Sequence, residues 1–153
     1  MNKYMQLALE EAKKGLLNGE GGPFGAVIVK DGKVIAKAHN QVLSKKDSTA
    51  HAEMEAIRKA CKVLDDFSLK GCILYATGEP CPMCFSAIYW ARLDKVVYCN
   101  TKKEAKEIGF DDEFITEVLQ GKTAPTIPFV QQTHTTCKEI LKLWEEKEDK
   151  TPY

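Results

Sequence analysis

The residues with the most evident chemistry lie in two short stretches, His51-Ala52-Glu53 and Pro80-Cys81-Pro82-Met83-Cys84. Imidazole and thiolate are preferred partners of Zn²⁺, so His51, Cys81 and Cys84 suit a tetrahedral zinc site. Three protein ligands leave the fourth position for water, the arrangement of a catalytic site rather than a structural one. Glu53 then remains as an unligated carboxylate beside the metal, placed to carry protons. Taken alone, a Cys-x-x-Cys pair also fits a redox couple or half of a structural zinc site, and His-x-Glu says little. The combination, with a proline before the first cysteine and thirty residues from His51 to Cys81, is far more specific.

Composition narrows the setting. A chain of 153 residues is long enough for one domain with a core. Lys+Arg 22 balances Asp+Glu 22, which gives no electrostatic footprint for a long polyanion and speaks against a protein built to grip RNA or DNA. The six cysteines are not spaced as a secreted disulfide framework. The first residues lead into an amphipathic pattern rather than an apolar leader, and no stretch has the length of a membrane span. A cytoplasmic protein is the expectation.

Several elements must position the two stretches. Residues 3–17 read as a helix with Tyr4, Leu7, Ala8, Ala12 and Leu16 on one face. Phe24–Lys30 and Lys33–His39 read as a hairpin about Asp31-Gly32, with Asn40 at its end and a polar loop over Ser44–Thr49. A helix starts near His51, with Met54, Ile57, Cys61 and Leu64 as its buried stripe and Glu55, Arg58, Lys59 and Lys62 facing water. Cys72–Thr77 is a strand, Cys81–Arg92 a helix and Lys95–Asn100 a strand. Short helices follow over Lys102–Glu107 and Phe110–Gln120. Ile127–Thr133 reads as a last strand. Thr136, with Glu139 three residues on, opens a final helix whose apolar face carries Cys137, Ile140, Leu141 and Trp144. A hairpin followed by alternating helices and strands predicts an α/β three-layer sandwich, a mixed five-stranded sheet with helices on both faces.

The order His-x-Glu, then Pro-Cys-x-x-Cys, is a known signature of zinc nucleobase deaminases. With Gly22-Pro23-Phe24-Gly25-Ala26-Val27-Ile28-Val29, Ala87-Ile88-Tyr89-Trp90-Ala91-Arg92 and Gly109-Phe110-Asp111-Asp112, the whole chain resembles the cytidine-deaminase-like zinc hydrolases, and within them the branch that acts on guanine. The resemblance implies a single domain over 1–153, one Zn²⁺ per subunit and a free purine base as substrate. Zinc lowers the pKa of its water from about 15.7 towards 7, so a zinc-bound hydroxide would attack the amino-bearing carbon. Glu53 would shuttle protons, a service typically worth about 10²–10⁴-fold.

The same resemblance implies further roles. Asn40 would hydrogen-bond the carbonyl or imidazole edge of the base, the Ala52 N–H would face it, and Phe24 and Trp90 would pack on the ring. Asp112 would lie near the leaving amine, with Asp111 the competing choice. Tyr153 would enter the site of a second subunit in a homodimer that exchanges its C-terminal segments, about residues 135–153. Plainer readings stand beside these: a turn-shaping Asn40, a core Phe24 or Trp90, a helix-capping Asp112 and a frayed end at Tyr153. His39, His134, Cys72, Cys99 and Cys137 read as structural or surface residues, and Cys61 as core. Gly78 stands where a thiol or hydroxyl residue is common in such chains, which implies a more flexible turn. The alternatives are a tRNA adenosine deaminase, a deaminase of another amino-heterocycle such as cytosine or ammeline, and a structural zinc module. Neutral charge and the bulky Tyr89-Trp90 pair oppose RNA, and Glu53 has no task in a structural site.

Overall fold

The computed structural model describes residues 2–153. Helix α1 (Lys3–Leu17) starts where the Asn2 side chain accepts the Tyr4 N–H, and it ends at Asn18. Strands β1 (Gly25–Lys30) and β2 (Lys33–His39) form the expected hairpin. Its turn residues Asp31 and Gly32 both have positive φ, the backbone twist that a two-residue hairpin loop requires. A one-turn helix, α2 (Val42–Lys45), follows, then α3 (Ala52–Leu64), β3 (Cys72–Gly78), α4 (Pro82–Trp90) and β4 (Lys95–Asn100). Three further helices complete the chain: α5 (Lys102–Glu107), α6 (Glu113–Leu119) and α7 (Thr135–Glu146). Among the described residues no helix is long and apolar enough to cross a membrane.

The sheet has four strands in the order β2-β1-β3-β4, mixed, with β3 and β4 parallel and the other pairs antiparallel. Strand periodicity sorts its residues between two layers. Ala26 and Ile28 of β1 and Leu74 and Ala76 of β3 pack on one side against Ala52, Ala56, Ile57 and Ala60 of α3 and Ile88 of α4. Val27, Val29 and Tyr75 face the other side, against Met5 and Ala8 of α1. The contact layers are rich in alanine, so helices and sheet approach closely. Gly25 marks the limit: a Cβ there would fall on the Ala8 carbonyl oxygen and 2.6 Å from the Ala12 nitrogen.

Four expectations are corrected. The fifth strand is absent: residues 127–133 have no ladder partner and their large apolar side chains, such as Phe129, are exposed. The apolar, β-branched run there resembles a strand, but Pro128 removes a backbone donor and, among the described residues, the segment forms no ladder with an outer strand of the sheet. The buried face of α1 is Met5, Ala8, Ala12 and Gly15, rotated from the expected stripe, because only small residues fit against the hairpin. The cap of α7 is His134, whose Nδ1 accepts the Thr136 N–H, in place of a Thr136–Glu139 box. Glu55 does not face water. It is buried, and burial alone would raise its carboxyl, but ion pairs with Lys45 and Arg58 outweigh that and hold it below the usual range.

The α1–β1 contact gives a direct test. Gly25→Ala forces a methyl into helix backbone that cannot rotate away, and should lower stability by about 3 kcal/mol, the upper end of overpacking costs. Urea unfolding followed by circular dichroism would measure it.

Candidate active site

Two helix starts meet at the ligand cluster. His51 is the N-cap of α3 and Cys81 the N-cap of α4, with Pro82 at the first helical position, where a missing N–H costs nothing. Cys84 lies in the first turn of α4, and its N–H donates to Cys81 Sγ at 3.5 Å. His51 Nδ1 stands 3.5 Å from Cys81 Sγ and 3.6 Å from Cys84 Sγ. All three donor atoms lie within 4.8 Å of one another. Zinc bonds of about 2.3 Å to sulfur and about 2.0 Å to nitrogen, at a tetrahedral angle, put S and N about 3.6 Å apart. The donor set therefore fits zinc in both kind and spacing, with Nδ1 as the histidine donor.

The charges around the cluster are strongly shifted. A hydrogen bond from Cys84, against the cost of burial, and a second from His51 hold the Cys81 thiol well below its ordinary value. Cys84, on the donating side of that bond and more buried, is correspondingly raised. The hydrogen bond to Cys81 raises His51, which burial opposes. One of the two sulfurs is thus already a ready thiolate, as expected where backbone N–H groups of a helix start point at sulfur. Metal coordination deprotonates both.

Glu53, in the first turn of α3, is buried beneath the cluster, with Cys84 Sγ 3.6 Å from its Oε2. Burial raises its carboxyl above the usual range. His51, Glu53 and Cys81 open into a cavity of about 880 Å³, also walled by Phe24, Asn40, Phe110, Asp111 and Asp112. Asn40 is buried and tightly oriented: its N–H donates to the Phe24 carbonyl at 2.9 Å and its Oδ1 accepts the Val42 N–H at 3.0 Å. With Oδ1 engaged, the Nδ2 amine is the group left to address the cavity.

The Phe24 ring meets Phe110 edge-on at 4.9 Å between centroids. Its other side rests on Gly78, where a Cβ would lie 3.2 Å from the ring. Gly78 is therefore a packing residue under Phe24 at the buried end of β3, rather than a source of flexibility. Asp111 is committed locally, accepting the Glu113 N–H at 2.9 Å and lying 3.6 Å from Lys106 Nζ. Asp112 has no side-chain hydrogen bond among the described residues, and burial raises its carboxyl while nearby Lys102 opposes the rise. Of the two, Asp112 is the carboxylate left available to the cavity. Ala52 is buried at the first position of α3, where a backbone N–H has no intrahelical acceptor.

Trp90 and Tyr153 are not brought to this cavity within one chain. Trp90 ends α4, six residues beyond Cys84, which places it about 9 Å further along the helix. Its exposed ring and that of Tyr153 lie 6.2 Å apart, with Phe67 6.2 Å from Tyr153 on the other side. Phe110 received no role in the sequence reading; its position before the Asp111-Asp112 pair was the signal that it shares their loop.

Residues 1–100 match the model of the cytidine and deoxycytidylate deaminase zinc-binding region. The chain belongs to that zinc-dependent deaminase family. A guanine deaminase of Bacillus subtilis is 48% identical over 151 residues, 98% of this chain and 97% of that protein. The solved structure of the guanine deaminase from Bacillus subtilis superposes with a TM-score of 0.95 at 47% identity, covering 100% of this chain and 99% of that one. A tRNA-specific adenosine deaminase of Aquifex aeolicus is also 48% identical, but over 101 residues, 66% of each chain. The deaminase fold, its zinc cofactor and the positioning of His51, Cys81 and Cys84 to hold it are thus in agreement.

Removal of one donor should remove the metal. Cys81→Ala, dialysed against a chelator and analysed by atomic emission, should retain little zinc where the unsubstituted protein keeps about one equivalent. Full zinc occupancy in the variant would take Cys81 out of the ligand set.

Proposed function

We propose that the protein hydrolyses guanine, with water adding at the amino-bearing carbon, the C–N bond breaking, and xanthine and ammonia leaving. The observation that carries the choice of base is that Asn40 walls the cavity with its Oδ1 already taken by the Val42 N–H. Its free Nδ2 amine offers two donors to the cavity, and guanine presents two acceptors, O6 and N7, along one edge. Adenine presents N7 beside an N6 donor, so a second amine donor there would meet a donor. A site whose buried polar group is left unpaired discriminates by orders of magnitude. The length of the likeness to the Bacillus subtilis guanine deaminase, through Asp112 and the C-terminal helices, supports the same base.

His51, Cys81 and Cys84 would hold zinc, which would supply Lewis-acid activation of water at neutral pH. Glu53 takes a proton from the attacking water. Burial favours its protonated form, so it holds the proton until a ring nitrogen and then the departing amine, both next to the same carbon, accept protons from it. The Ala52 N–H faces the base, Asp112 accepts from the amino group, and Phe24 flanks the ring with Phe110 behind it. The expected setting is a cytoplasmic enzyme of free-base metabolism.

The cavity is several times the volume of a purine, and we place a second copy of the chain over it. Helix α7 has an apolar face, with Ile140 61% and Leu141 71% exposed, left uncovered among the described residues. A groove along β4, walled by Phe85, Ile88, Tyr89, Leu93, Val96 and Tyr98, is a complementary apolar surface. Exchange of residues 135–153 across a two-fold axis pairs these surfaces. It also carries Tyr153 towards the partner's cavity, which accounts for its distance from its own, while Trp90 stays with its body at the end of α4.

A steady-state assay of zinc-loaded protein against guanine, adenine, cytosine, ammeline and an RNA anticodon stem-loop tests the base. Guanine should be turned over well above the others; preference for adenine in the stem-loop would overturn the reading of Asn40. Glu53→Gln should keep zinc and lose about 10²–10⁴-fold in turnover. Loss of zinc in that variant would make Glu53 a support of the metal rather than a proton carrier.

The exchange has its own test. Tyr153→Ala should reduce turnover without loss of zinc, and chains carrying Tyr153→Ala mixed with chains carrying Glu53→Gln should regain activity. Only in the mixed dimer does an intact Glu53 face an intact tyrosine from its partner. No recovery on mixing, with heterodimers demonstrated by mass, would place Tyr153 in its own chain's site or outside any.

A further inference from the structure

Among the buried polar groups that the proposed chemistry does not use, His39 is the one held by a carboxylate at each ring nitrogen. Its Nδ1 lies 2.9 Å from Glu11 Oε2 and its Nε2 2.8 Å from Glu20 Oε2. The ring thus stands between two carboxylates, one at each nitrogen. Its floor is Gly15 of α1, where a Cβ would strike the ring. Glu11 belongs to α1 and Glu20 to the loop after it, so one side chain at the end of β2 joins three parts of the chain.

Those parts meet around Asn40. The Glu20 carbonyl accepts the N–H groups of Leu43 and Ser44 at 3.1 Å each, and its carboxylate lies 3.4 Å from Gln41 Nε2. Gly21, the next residue, is pressed against Asn40 so closely that a Cβ would strike Oδ1. Two groups that bound the Asn40 Oδ1 are thus close in sequence to the residues Glu20 holds: the Val42 N–H, beside Leu43, and Gly21, beside Glu20 itself. A buried polar or ionic cluster contributes little net stability against an apolar replacement, so stability alone does not explain this clasp; fixing one arrangement is the better-attested use of such groups.

We propose that His39, clasped by Glu11 and Glu20, is a positioning residue that fixes the aim of the Asn40 amide. The inference rests on the reading of Asn40 as the contact to the base. Without the ring, Glu11 and Glu20 face each other across a partly buried gap, and their repulsion moves the Glu20-Gly21 loop away from Asn40. A displacement of about 1 Å at such a contact is enough for a loss of about 10²-fold.

The experiment is a double-mutant cycle on zinc-loaded protein with guanine, built from His39→Gln, Glu20→Gln, Asn40→Ala and the two pairings with Asn40→Ala. Glu20 is partly exposed, so its variant keeps the test open where His39→Gln fails to fold. The expected result is a fall in kcat/KM of about 10–100-fold in each clasp variant, with zinc content unchanged and the loss lying mainly in KM. Added to Asn40→Ala, the same substitutions should cost less than about threefold more, since coupled residues are not additive. Clasp variants with unchanged kinetics overturn the proposal. So do losses that multiply fully with that of Asn40→Ala, or that fall on kcat alone as a smaller folded fraction would give. Near-normal turnover in Asn40→Ala is the distinct result that removes the base-reading assignment itself, and the proposal with it.

Discussion

The structure depends on bringing two helix starts together at one point. A helix N-terminus carries unpaired N–H groups and a partial positive charge, which favours thiolate and carboxylate. In this chain α3 and α4 both begin at the same site, one with His51 and the other with Cys81, and their first turns add Glu53 and Cys84. Four groups that would otherwise be costly to bury are thereby gathered where the backbone offsets part of the cost. The separations this imposes, 3.5 and 3.6 Å from one imidazole nitrogen to two sulfurs, are those that zinc needs. Much of the remaining fold can be understood as what keeps those two helix starts fixed. The close alanine layer under α3 and the parallel pairing of β3 with β4 on either side of α4 set the distance between them.

The substrate side of the cavity is built from strand ends rather than helix ends. Phe24 stands just before β1, Asn40 just after β2, and Gly78 closes β3. All three are near the same edge of the sheet because β1 is central and antiparallel to both neighbours. Small residues make the approach possible. Gly78 leaves room for the Phe24 ring, and Gly21 leaves room for the Asn40 amide. Glycine in these places is a requirement of close contact, and flexibility is not its contribution.

How much of this was legible in the sequence follows from the range of each interaction. The ligands and Glu53 were legible because each stretch is local: a His-x-Glu at a helix start and a Cys-x-x-Cys across one turn state their geometry in their spacing. The hairpin was legible from Asp31-Gly32 for the same reason. Glu55 was misplaced because helical periodicity cannot see Lys45, which comes from a one-turn helix that a polar loop concealed. Residues 127–133 carry the apolar residues of a strand, but Pro128 lacks a donor and the run does not pair with either outer strand, a tertiary outcome that residue types alone do not announce. His39 reads as one more structural histidine until Glu11 and Glu20, distant in sequence, are seen on its two sides. The local commitment of Asp111 to Lys106 and the Glu113 N–H is likewise invisible to spacing alone, while both Asp111 and Asp112 wall the cavity.

The C-terminal third poses a different constraint. A chain that buries its core this tightly in alanine does not leave a helix face of Ile140, Leu141 and Trp144 in water without a use for it. Nor does a hydrolase of a flat aromatic base work well in a wide, wet cavity, since water exclusion strengthens each electrostatic contact on which the reaction depends. The two deficits are complementary. The uncovered apolar face needs a surface, and the open cavity needs a cover that brings aromatic rings. Trp90 and Tyr153 already stand side by side, exposed and away from their own zinc ligands. Folding α7 back over its own body would cover the helix and leave the cavity as wide as before, whereas the exchange proposed above would give the helix face a surface and bring the Tyr153 ring to a cavity, with Trp90 remaining at the far end of α4.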